Sequence, residues 1–145
     1  MHPHARLRRS LPLVLLAGCA GGATGPDADA SGTFVLRAVR PQEGVELAVP
    51  ATHPLGVTAD SLRVLGGSFV LEAGRWSVRT EEVVMAGGEA RARTREERGD
   101  FAVERDLGGR LVLDLYPGKF VTADRPWTAL LAGDTVHYGY GVYVR

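Results

Sequence analysis

"DSLRVLGGSFVLEAGRWSVRT", Asp60 to Thr80, places apolar side chains at every second position. Leu62 and Val64 share a face, then Phe69 and Leu71, then Trp76, Val78 and Thr80, against Arg75, Ser77 and Arg79 on the other. A period of two belongs to a half-buried strand, because successive side chains point to opposite faces of the pleat. Gly66-Gly67 interrupts the first run where a bulge or bend fits, and Ala73-Gly74 separates the two runs as a turn would. The stretch reads as a β-hairpin.

The same rhythm extends in both directions. "TFVLRAV" puts Phe34, Leu36 and Ala38 on one face. Phe101 and Val103 precede a glycine turn, followed by Leu111, Leu113 and Leu115. Trp127, Ala129 and Leu131 lead to a Gly133-Asp134 turn and an inward row of Val136, Tyr138, Tyr140, Val142 and Val144 along one last strand. Gly and Pro punctuate throughout, and no window sustains a helical period. The expectation is an all-β chain of roughly eight antiparallel strands in a small meander barrel, with a β-sandwich as the alternative.

"EEVVMAGGEARARTREERG", Glu81 to Gly99, is rich in helix formers, so a short helix after Gly88 competes with a hairpin. For a hairpin, loop length decides which face each side chain takes, since a one-residue slip turns every side chain over. A two-residue Gly87-Gly88 turn sets Arg91, Arg93 and Arg95 on the face of Trp76. A three-residue Ala86-Gly87-Gly88 loop puts Ala90 and Ala92 inside and Glu81 opposite Arg93 in water. The three-residue loop is preferred, although it leaves Glu82 pointing inward.

The N-terminus has a different character. Arg6, Arg8 and Arg9 precede a short apolar run, Leu11 to Gly18, far below the roughly 20 residues that span a bilayer. This is the layout of a secretory signal. Leu16-Ala17-Gly18-Cys19 resembles the lipobox of bacterial lipoproteins. By that resemblance residues 1–18 are a signal peptide, and Cys19, the only cysteine, carries diacylglycerol and palmitate-type acyl chains. Ala20, rather than aspartate, follows it, which implies the outer membrane where a cell has two. "AGGATGPDADASG", Ala20 to Gly32, has no apolar side chain larger than alanine. Residues 19–32 therefore read as a flexible tether, and 33–145 as the folded domain.

The order "GTFVLRAV", "PQEGVELAVPATHP", the long strand pair, "GDFAVERDLGGRLVLDL" and "GDTVHYGYGVYVR" resembles small bacterial lipoproteins with a lipocalin-like domain. That resemblance implies a meander barrel. The chain lacks the cysteine pairs and the Gly-x-Trp signature of lipocalins.

Composition excludes several functions. All basic residues except Lys119 are arginine, and removing residues 1–18 takes three of the 17 basic residues but none of the 17 acidic ones. No basic excess remains to attract nucleic acid. A metal site needs three or four ligands; after processing only His53 and His137 remain, without ligand spacing, so no metal or cofactor is expected. "GGSFV" is not a nucleophile elbow, and Glu81-Glu82 and Glu96-Glu97 alternate faces, so an enzyme is not expected.

The aromatic residues are the candidates. Trp76, Trp127, Tyr138 and Tyr140 fall on inward faces, where core packing and a cavity wall are both open readings for an eight-stranded barrel. Arg105 shares a face with Phe101 and Val103, placed to meet a tyrosine hydroxyl or an anionic headgroup, or to reach water from the rim. The expected function is a lipid-anchored, non-enzymatic envelope protein that binds a small apolar or amphipathic ligand in its barrel. The alternative is an interaction or inhibitor module acting on an envelope protein. An aromatic-lined interior void favours the first.

Overall fold

The computed structural model describes residues 30–56, 60–118 and 126–145. Cys19, the expected signal peptide and most of the expected tether lie outside the described residues. Ala30 is buried, however, and Gly32 opens the first strand, so the last tether residues belong to the domain.

Ten strands follow in order: β1 (Gly32–Gln42), β2 (Val45–Ala48), β3 (Ala51–Pro54), β4 (Ser61–Glu72), β5 (Arg75–Ala86), β6 (Glu89–Asp106), β7 (Arg110–Pro117), β8 (Trp127–Ala132), β9 (Thr135–Tyr138) and β10 (Gly141–Val144). There is no helix among the described residues. From β4 to β10 each strand pairs antiparallel with the next; β10 then pairs β1, and β1 pairs β4. That closes a ring of eight strands, which removes most of the exposed sheet edge. Strand β2 lies on β1, and β3 on β4, beyond the residues where β1 and β4 pair with each other.

The period-two faces fill the barrel. Phe34, Leu36, Leu62, Val64, Phe69, Leu71, Trp76, Val78, Leu113 and Leu115 form one continuous core. The β4 pairing shifts between Val64 and Gly66, the place the glycine pair indicated. The Gly133-Asp134 turn joins β8 to β9 as expected.

Four expectations are corrected. First, the β5–β6 loop is the two-residue Gly87-Gly88 turn: Ala86 pairs Glu89, and Glu82, not Glu81, faces Arg93. Both glycines have positive φ, 58° and 82°, the conformation that a two-residue hairpin requires. Arg91, Arg93 and Arg95 therefore share the inner face with Trp76 and Val78. A buried Glu82 is acceptable in this register because arginines sit beside it.

Second, β1 shifts register between Leu36 and Ala38, so Val39 joins the core cluster while Ala38 is buried beside it. Third, β6 shifts between Val103 and Arg105, and Arg105 pairs Val112 rather than the inward Leu111. A bulge turns the following side chains over. Arg105 is consequently outside, 64% exposed and 3.2 Å from Glu104.

Fourth, the last strand is two strands. Gly139, with φ of 55°, and Tyr140 form a turn, and Tyr138 pairs Gly141. After the turn the faces exchange: Tyr143 enters the core cluster, while Val142 is buried outside that cluster and Val144 is only half-buried.

Candidate functional site

The aromatic residues gather at one region of the barrel. Phe69 stacks on Trp76 with ring centres 6.0 Å apart. Tyr138 lies 5.6 Å from Trp76 and 5.5 Å from Phe69, and Trp127 meets Trp76 edge-on at 6.1 Å. Tyr143 packs 5.6 Å from Phe69. Gly141 makes room for it: a Cβ there would stand 2.5 Å from the Tyr143 ring. Trp76 is buried, whereas Trp127 is 39% exposed. The cluster thus has a closed floor and an open upper side.

Above that floor is a cavity of about 530 Å³. Trp127, Tyr138, Tyr140 and Tyr143 line one wall, and Thr80, Arg95 and Glu97 line the other. Its size lies within the range of small-molecule sites, roughly 300–1,000 Å³. One wall comes from β8 to β10, the other from β5 and β6. The period of two on β6 brings Arg93, Arg95 and Glu97 to the same face, and the two-residue turn makes that face the inner one.

Tyrosine hydroxyls cross the barrel to the charged wall. Tyr138 donates to Glu97 at 2.9 Å, and Tyr140 donates to Glu82 at 2.8 Å. Arg93 Nε donates to the other Glu82 oxygen at 2.8 Å, and Arg95 Nη2 donates to Glu97 at 3.0 Å. Arg95 also stands 3.9 Å from Glu82. Glu82 is 1% exposed; a carboxylate that deep needs partners, since a lone buried charge costs far more than a paired one.

Burial, then the Glu97 hydrogen bond, raises the Tyr138 hydroxyl well above the ordinary tyrosine range. Burial, then Glu82, does the same for Tyr140. Tyr143 is also raised, chiefly by burial, against a Thr80 hydrogen bond that lowers it. All three remain neutral phenols at neutral pH, suited to hydrogen bonding rather than to acid–base exchange. Burial works against the Arg95 charge, but Glu97 and Glu82 outweigh it and raise its pKa.

Of the candidates read from the sequence, Trp127, Tyr138 and Tyr140 line the cavity and Trp76 supports it from below; Arg105 is elsewhere. The structure adds Tyr143, Arg95, Glu97 and, behind them, Glu82. Tyr143 was missed because the residues after the Gly133-Asp134 turn read as one continuous strand, when Gly139 ends it. The inward Glu82 was the one sequence signal for the charged wall. His53 lies in β3, 6.1 Å edge-on to Tyr140, and His137 faces outward, 3.3 Å from Arg40. No group of three or more potential metal ligands gathers among the described residues.

Comparison of the chain with protein-family models, curated proteins and solved structures gives no match. The likeness to a lipocalin-like barrel therefore stands on the closed eight-stranded antiparallel meander itself, and a fold carries no ligand with it.

Proposed function

We propose that this is a lipid-anchored bacterial envelope protein whose barrel binds a small amphipathic ligand without chemically altering it. The observation that carries the reading is the open cavity of about 530 Å³, aromatic on one wall and charged on the other. A filled barrel would leave no reason for a half-exposed tryptophan at the mouth of an aromatic cluster. Trp127 and the tyrosines supply apolar contact area, and the polar wall orients one end of a guest. The carboxylates and hydroxyls are tied to one another, an arrangement for binding rather than turnover.

An environment-sensitive apolar fluorophore should occupy one saturable site and quench tryptophan emission, and Trp127→Ala should weaken it at least severalfold while leaving the circular dichroism unchanged. If a broad panel of fluorophores and lipids shows no saturable binding, the ligand reading falls and an interaction role with an envelope protein takes its place.

The anchor rests on Leu16-Ala17-Gly18-Cys19. Expressed in a bacterium, the wild-type chain should fractionate with membranes, the outer membrane where two are present, and take up a fatty-acid label. Cys19→Ser should be unlabelled and soluble. A wild-type chain that is itself soluble and unlabelled rules the anchor out.

A further inference from the structure

Resting on that reading of the cavity, we infer that the guest's polar end is an oxyanion, a carboxylate or phosphate, received by Arg95. The hydrogen-bond complement of the charged wall points to it. Both oxygens of Glu82 are taken, one by Tyr140 and one by Arg93. Both oxygens of Glu97 are taken too, by Arg95 and Tyr138. Each of these oxygens thus already accepts one bond, and Glu82 is out of reach of anything in the cavity, with its side chain fully buried.

Donors are in surplus. A guanidinium has five N–H donors in a planar fork. Arg95 directs one of them to Glu97; its contact with Glu82, at 3.9 Å, is an ion pair beyond hydrogen-bond reach. The Arg95 side chain is 48% exposed and lines the cavity directly. Arg93 and Arg91 continue the same inner row of β6 above it, half or more exposed. A guest that fits this wall brings acceptors.

Among acceptors, an oxyanion gains most, because charge-assisted bonds to a guanidinium are the stronger kind and two parallel ones match its fork. A cationic head meets the opposite situation. Aromatic rings favour cations in general, but here Arg95 already stands beside the rings and the carboxylates have neutralising partners. Each arginine of the row has a carboxylate partner, so the wall is close to balanced in charge. Selection of the head is then short-range, by hydrogen bonds rather than by a long-range field.

The test uses four probes with a ten-carbon chain: decanoate, decanol, decyltrimethylammonium and, as a second oxyanion, decyl phosphate. Each is titrated below its micelle concentration into the folded domain with tryptophan emission as readout. Inorganic phosphate is the arm without a chain. Decanoate and decyl phosphate should bind at least about tenfold tighter than decanol, the scale of one hydrogen bond to a charged group. Arg95→Gln should erase that ratio while decanol binding is retained, and Arg95→Lys should restore part of it. The ratio, unlike affinity, does not move through a general loosening of the fold.

Equal binding of all heads, or tightest binding of the ammonium, overturns the oxyanion inference and leaves the cavity reading standing. Inorganic phosphate binding as tightly as decyl phosphate makes the site a simple anion site and overturns the amphiphile. No binding by any probe overturns both readings.

Discussion

Trp76 is 2% exposed and touches Phe69, Trp127 and Tyr138. Replacing it with alanine removes the floor of the aromatic cluster, so Trp76→Ala should cost about 3–5 kcal/mol in urea unfolding. Glu81 differs in kind. It sits on the outer face, 3.1 Å from Arg79, with both side chains half exposed. Such pairs contribute about 0–1 kcal/mol, so Glu81→Ala should stay within that range. A loss at Glu81 rivalling that at Trp76 would contradict the face assignment of β5. Glu81 and Glu82 are neighbours in the chain, yet one is solvated and the other buried, solely because strand side chains alternate.

Strands β5 and β6 show how an element acquires its role from its turn. With Gly87 and Gly88 both at positive φ, the hairpin register sets Glu82 against Arg93 and Thr80 against Arg95. Inserting one alanine between Ala86 and Gly87 lengthens the loop by a residue and turns the arginines to the outer face. Glu82 would then be buried without its guanidinium, a loss of about 3–5 kcal/mol by the behaviour of broken buried pairs. Gly88→Ala strains only the turn, at roughly 1–2 kcal/mol, since no neighbouring atom would meet its Cβ. Urea midpoints of the two variants should separate clearly; an insertion no worse than Gly88→Ala would mean that the turn does not set the register.

At the scale of the whole molecule, Tyr138 and Tyr140 tie the β9–β10 turn across the barrel to β5 and β6. These straps carry a pH dependence whose sign follows from linkage. The hydroxyls of Tyr138, Tyr140 and Tyr143 all have folded pKa values above the ordinary tyrosine value of about 10, first through burial. The unfolded chain therefore releases these protons first. Their stabilisation is complete below pH about 10 and is lost as pH rises beyond it. Unfolding midpoints should fall steeply on the alkaline side, and the slope should flatten in Tyr138→Phe/Tyr140→Phe. An equally steep fall in that double variant would assign the effect to other groups.

Alternation alone determined that this chain is all-β and which residues of β4, β5, β7 and β8 fill the core, because a strand offers only two faces and the apolar residues choose one. The inward aromatics were likewise legible as a group, and the structure gathers Trp76, Trp127 and Tyr138 into one cluster. Where the rhythm breaks, sequence reasoning lost the face: at the β1 and β6 bulges, at the Gly87-Gly88 turn, and at Gly139-Tyr140. A bulge or a change of loop length by one residue inverts every side chain after it, and the local sequence hardly distinguishes the registers. Packing decides between them. Arg105 goes outside, Tyr143 goes inside, and Glu82 becomes tolerable in the core only because its hairpin partner brings Arg93 to it and the remote β9–β10 turn brings Tyr140. The charged wall of the cavity is thus a property of the closed barrel, since a buried carboxylate is stable only where partners converge in space.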